Sequence, residues 1–249
     1  MGKILLANGC SHVAGSESPI SFVEPLAEKM GMTSVNIATP GGGNDRILRT
    51  TIDYCVANPV DFVVIGWTTH ERMEITFRDE WQCFGLGRQV HKSSESHDEE
   101  HVKRLQQLFD FMSLNCCTWY PHGVEKTLVY QISLQSFLEA RGIDYIFFNA
   151  WNLIPPAGDS QGMYWASLDY VEKCNQSRSE PAYKWFNENS FQHPKWDAIN
   201  KDKYYKPHNA LFKDYEDLMP EHFSEMHHGN EHVHNAIAEE LYERITRTK

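Results

Sequence analysis

The chain has 249 residues, 41% of them apolar, enough to bury the core of one large domain over residues 1–249, and 23 basic against 34 acidic side chains give a net charge of −11. A field of that sign repels nucleic-acid phosphates and anionic headgroups, so neither nucleic acid nor a membrane is expected as a partner. No apolar run approaches the roughly 18 residues of a membrane helix and no basic region precedes a long apolar stretch, so a cytoplasmic protein with reduced, mostly buried cysteines is expected.

Lys3–Ala7 is a short apolar run and reads as a core strand. The spacing predicts a helix over Ile20–Met30, stopped by Gly31, then a second strand over Ser34–Ile37. A helix over Asp45–Val56 closes at Asn58-Pro59, and the third strand, Phe62–Gly66, is almost continuously apolar. Helices over Glu99–Met112 and Val124–Ala140 follow, the latter ending at Gly142, before the fourth strand, Tyr145–Asn149. Strands alternating with helices in this way predict a parallel sheet covered on both faces, a three-layer α/β/α sandwich.

The stretch from Pro155 to Pro220 lacks a clean period and carries Trp165, Tyr183, Trp185, Phe186, Trp196, Tyr204 and Tyr205. So many aromatics predict a folded insertion of short helices lying over the sheet before the last helix. That last helix, Glu231–Thr246, has Asn230 as its expected N-cap and places Val233, Ile237, Leu241 and Ile245 on one apolar stripe.

Two short segments at opposite ends carry the chemistry. Gly9-Cys10-Ser11-His12 follows the first strand, and Glu225-Met226-His227-His228 precedes the last helix. A serine hydroxyl is unreactive at neutral pH unless an imidazole takes its proton and a third group orients that imidazole. A metal reading of His227, His228, His232 and His234 with Glu225 stands beside this one, since His228 and His232 share a helical face. Gly41-Gly42-Gly43 suggests a phosphate cradle, but neither the dinucleotide nor the Walker pattern follows a strand.

Taken in order, four segments resemble the SGNH/GDSL hydrolase family, over roughly residues 1–75 and 220–247. Gly9-Cys10-Ser11 resembles the family's Gly-Asp-Ser block. The glycines after Asn36-Ile37-Ala38-Thr39-Pro40 resemble the second block, with Gly41 the preferred match and Gly42 the alternative. Gly66-Trp67-Thr68-Thr69 stands where the family has Gly-x-Asn-Asp, with threonine for asparagine. Glu225-Met226-His227-His228 followed by His234 resembles Asp-x-x-His and its later histidine, with Glu for Asp and Gly229 for the usual proline.

The resemblance implies a flavodoxin-like sheet and a serine ester hydrolase without cofactor or metal. Ser11 is the implied nucleophile, His228 the base and Glu225 its orienting acid; Ser11, Gly41 and Thr68 form the implied oxyanion hole, and His234 packs the last helix. His12, Gly42, Asn44, Thr69, His70 and Arg72 are the expected substrate contacts, and the implied substrate is a small ester or acylated glycan. The same segments also resemble SGNH-like proteins of tailed bacteriophages, which implies host cytoplasm or virion. The rival expectation is a non-catalytic SGNH-like binding or virion-associated protein, suggested by the threonine in the third block.

Overall fold

The computed structural model describes residues 2–69, 72–77, 80–85, 100, 103–104, 107, 119–150 and 194–247. In chain order the elements are β1 (Ile4–Asn8), α1 (Ser11–Ala14), α2 (Val23–Lys29), β2 (Thr33–Asn36), α3 (Asn44–Ala57), β3 (Phe62–Trp67), β4 (Arg72–Phe77), β5 (Glu80–Gly85), α4 (Trp119–Ala140), β6 (Asp144–Asn149), β7 (Tyr204–Ala210), α5 (Leu211–Leu218) and α6 (Glu231–Arg247). The main sheet runs β2-β1-β3-β6-β7 with every pair parallel. Leaving aside the separate β4–β5 hairpin, that is the flavodoxin-like order.

Side chains alternate across the pleat, so each strand feeds two apolar layers. Leu5, Ala7, Val64, Ile146 and Phe148 pack with Phe22 and Leu26 near and on α2, Phe212 on α5, and Val233, Ile237, Leu241 and Ile245 on α6. Leu6, Val63, Ile65, Tyr145 and Phe147 pack on the other face with Ile47 and Cys55 of α3, Leu128, Leu134 and Leu138 of α4, and Trp196. The apolar stripe of the last helix thus lies against the sheet. Its N-cap is Asn230, whose Oδ1 accepts the His232 N–H at 3.0 Å. Gly31 and Gly142, just past two helices, both take φ of +65°.

Three elements depart from the expected set. Residues 204–210 belong to the sheet, not to an insertion: Tyr204 and Tyr205 register with Phe147 and Phe148 as an edge strand. The pairing breaks before Ala210, and Lys206 takes φ of +44°, so this strand has no regular alternation to read. The β4–β5 hairpin docks on α3 through Arg49, which grips Glu74 with bonds of 2.8–3.0 Å and stacks over the Trp81 ring at 4.2 Å. The third is α1, a single turn of 4 residues. The expected helix Glu99–Met112 and the insertion over 155–193 lie outside the described residues, apart from Glu100, Lys103, Arg104 and Gln107, which are helical. Among the described residues no helix is long and apolar enough to cross a membrane.

Candidate active site

Ligands of open parallel sheets gather beyond the carboxyl ends of the strands, and the three motif loops that follow β1, β2 and β3 lie at that edge. At the end of β1 the buried Asn8 amide donates to the Ile47 carbonyl at 3.1 Å and to the Thr50 and Thr51 hydroxyls at 2.8 and 2.9 Å. Its Oδ1 accepts the Gly9 N–H at 2.9 Å, which fixes the start of the turn. A Cβ on Gly9 would meet the Val13 side chain at 2.4 Å and the Gly66 carbonyl at 2.9 Å, so only glycine lets α1 begin this close to the sheet. The far end of α1 is anchored at the Val13 carbonyl, which accepts from Ser21 Oγ at 2.8 Å and Asn36 Nδ2 at 2.9 Å. Ser11 is the first residue of α1 and is 6% exposed.

The β2 loop is tied to this turn by the Thr39 N–H, which donates to the Gly9 carbonyl at 3.2 Å. Gly41 takes φ of +78°, a backbone state that favours glycine. The Gly42 N–H is used within the loop, donating to the Thr39 carbonyl at 2.9 Å, whereas the Gly41 N–H has no acceptor among the described residues. Of the two glycines, Gly41 therefore keeps the free donor. Asn44 is 2% exposed and holds the third loop: Oδ1 accepts the Thr68 N–H at 2.9 Å, and Nδ2 donates to the Thr68 carbonyl at 2.9 Å and the Thr127 hydroxyl at 3.2 Å. Its amide is engaged by the scaffold instead of facing a substrate.

Thr68 is fully buried, and its hydroxyl oxygen accepts from Arg72 Nη1 at 3.0 Å. Arg72 in turn gives its backbone N–H to the carbonyl of half-buried Thr69 at 3.3 Å. His70 lies outside the described residues. The third loop thus offers a hydroxyl backed by a guanidinium where the resemblance has an asparagine amide.

The His228 side of the candidate site comes from the segment before α6. The His228 ring meets the His12 ring edge-on with centroids 5.2 Å apart, and His12 also lies 4.8 Å from the Phe212 ring. Burial, with the charges of His228 and Arg72 adding to it, holds His12 well below the usual histidine range, so it stays neutral at pH 7. Ser224 shapes the turn: its hydroxyl oxygen accepts the Met226 and His228 N–H groups, each at 3.2 Å. Glu225 is exposed, and the carboxylate that the structure places at His228 is a different one, Glu17 Oε2, 3.3 Å from Nδ1. No motif spacing marks Glu17. The only sign of it is its position a few residues past the serine turn.

The remaining histidines of the cluster are engaged elsewhere. His227, at φ of +61°, pairs through Nδ1 with Glu216, and His232 packs on His222 with ring centroids 4.9 Å apart. His234 Nδ1 accepts the Phe22 N–H at 3.1 Å, joining α6 to the start of α2, and burial pushes its pKa down to about 4. Among the described residues no group of three or more His, Cys, Asp or Glu side chains is arranged to hold a metal ion.

A profile of DUF6071, a family of unknown function, matches residues 19–178. The chain belongs to DUF6071. The matched span of this DUF6071 chain contains the Gly41 and Thr68 loops, with Ser11 before it and His228 after it. No curated protein matches the chain in sequence. Among solved structures it is similar to the psychrotrophic esterase EstA from a Pseudoalteromonas species, at 11% identity and a TM-score of 0.50 over 98% of this chain and 97% of that one. It is also similar to a G-D-S-L family lipolytic protein from Veillonella parvula, at 13% identity and a TM-score of 0.48 over 98% and 99% of the two chains. The DUF6071 chain has the SGNH hydrolase fold.

Proposed function

We propose that this chain is a serine-dependent ester hydrolase working through an acyl-enzyme. The observation that carries the reading is the convergence of two segments more than two hundred residues apart, with the His228 ring set 5.2 Å from that of His12, the neighbour of Ser11. In the reaction Ser11 Oγ attacks the ester carbonyl carbon while His228 takes its proton. The oxyanion that forms is met by the N–H groups of Ser11 and Gly41 and by the Thr68 hydroxyl, with the Arg72 guanidinium behind it. Collapse breaks the bond to the alcohol, which leaves with the proton held on His228. Water then attacks the acyl-Ser11 carbonyl, gives its proton to His228, and the acid departs as Ser11 regains a proton. The substrate class we propose is a small acyl ester, acetylated carbohydrates among them.

A second reading, a non-catalytic SGNH-like binding protein, is favoured by one observation: Thr68 is fully buried and its hydroxyl oxygen already accepts from Arg72. A fluorophosphonate probe, which labels an activated serine, separates the two. The hydrolase reading expects labelling of the wild type, none in Ser11→Ala, and a fall of about 10³-fold or more in His228→Ala. A folded wild type that takes up no probe sinks it in favour of the binding protein. Labelling that survives in Ser11→Ala sinks the choice of nucleophile.

A further inference from the structure

We propose that Glu17, and not Glu225 of the acid-x-x-His motif, is the carboxylate that positions His228; the inference rests on the reading of His228 as the base for Ser11. Glu17 lies in the segment that leaves α1. Gly15, at φ of +74°, ends the helix, the Ser18 N–H closes a turn on the Gly15 carbonyl at 3.1 Å, and Glu17 itself sits at φ of +64°. A non-glycine residue in that left-handed state is uncommon and strained, so the surroundings must hold it there. What holds it is across the chain. The Ser224 hydroxyl donates to Glu17 Oε2, and the same oxygen stands 3.3 Å from His228 Nδ1.

Ser224 makes the arrangement specific. Its oxygen accepts the N–H groups of Met226 and His228 while its proton goes to Glu17, so one hydroxyl sets both the turn that carries the imidazole and the carboxylate that faces it. The Ser224 bond, followed by the His228 ring beside it, keeps the Glu17 carboxyl below its ordinary range, which makes it an anion at neutral pH. An anion facing Nδ1 favours the tautomer with its proton on that nitrogen and leaves Nε2 as the basic one. It also stabilises the imidazolium that forms when Ser11 gives up its proton. Glu225, one residue past Ser224, is exposed.

Other titratable groups acting with His228 include His12 on α1 and His234 on α6; Arg72 acts on His12, and His227 is paired with Glu216. None of them supplies a negative charge to the ring. The Glu17 carboxylate, 3.3 Å from Nδ1, is an acidic partner of the ring.

The test compares Glu17→Gln with Glu225→Gln in the full chain, by two readouts. Long-range proton–nitrogen NMR of the imidazoles follows the His228 pKa and tautomer without any need for turnover, and the pH profile of fluorophosphonate labelling follows its work as a base. Glu17→Gln keeps the side-chain shape at a position whose side chain is 45% exposed. We expect it to lower the His228 pKa by about one unit, since an adjacent anion favours the charged ring, and to slow labelling about tenfold with the lower limb of the profile moving to the same extent. Glu225→Gln is expected to move neither. An unchanged His228 pKa in Glu17→Gln, or a drop in Glu225→Gln, overturns the assignment. If the wild type takes up no probe yet Glu17→Gln still lowers the His228 pKa, the pairing stands and the hydrolase reading falls.

Discussion

The turn that carries Ser11 and the turn that carries His228 both lead into a helix, and each has beside it a glycine packed against a valine four residues on: Gly9 on Val13, Gly229 on Val233. They differ in what holds them. The Ser11 turn is pressed between α1 and the Gly66 backbone and is bonded to strand ends and neighbouring loops by Asn8, Thr39 and Asn36. The His228 turn is bonded through its own Ser224 and reaches the rest of the site through Glu17 and the His12 ring, with Glu225 and Met226 exposed. One half of the site is set by the sheet, and the other is a turn closed by its own backbone bonds that meets the first half through side chains.

The largest expected effect tests the rigid half. In Gly9→Ala the new methyl meets Val13 and, on its other side, a carbonyl of β3 that has no rotamer to change, so the strand or the helix must shift. Overpacking with backbone in the way costs about 3 kcal/mol or more, well above the few tenths to about 1 kcal/mol that alanine recovers by restricting the unfolded chain. Urea unfolding reads this as a lower midpoint at unchanged slope. A variant as stable as the wild type would mean that the serine turn is not fixed by contact with the sheet.

A smaller effect tests how the helix that follows His228 is moored. His234 accepts the Phe22 N–H only when neutral, and burial lowers its pKa to about 4. In the unfolded chain it takes up a proton near its ordinary value of about 6.5, so between these values the unfolded state holds more protons. Stability is complete above pH ~6.5, falls by about 2 to 3 kcal/mol as the pH drops to ~4, and levels off below. His234→Asn keeps an acceptor and does not titrate, so its unfolding free energy should lose that part of the slope. Buried His12, also lowered, contributes in the same direction and remains in both proteins. An identical pH slope in the variant would show that His234 does not moor α6.

The same division explains what the sequence made readable. Continuous apolar runs such as Phe62–Trp67, with glycines past helix ends, are local signals, and they locate the parallel sheet and the turns at its carboxyl edge. Ser11 and Gly41 stand in those turns because strand order puts them there. Strand β7 escaped because Tyr204–Ala210 carries a register break and Pro207, which erase the alternation. Glu17 escaped for a different reason. Its link to His228 joins segments more than two hundred residues apart, and the acid-x-x-His spacing pointed to Glu225, a residue that this turn leaves exposed.

The smallest expected effect tests the softer half directly. A methyl on Gly229 would meet Val233 at 2.6 Å, against 2.4 Å on Val13, but its three nearest neighbours are all side-chain atoms of Val233, with no carbonyl among them. A side chain can give where a carbonyl cannot, so Gly229→Ala is expected to cost about 1 to 2 kcal/mol. A double-mutant cycle sharpens the point: trimming Val233 to alanine removes the nearest atom, and the pair should recover about half of that cost as coupling. The same cycle at Gly9 and Val13 should recover a smaller share, because the Gly66 carbonyl remains at 2.9 Å whatever stands at 13. Equal losses and equal coupling at the two glycines would mean that both turns are gripped alike, and the His228 turn could then not adjust independently of the sheet.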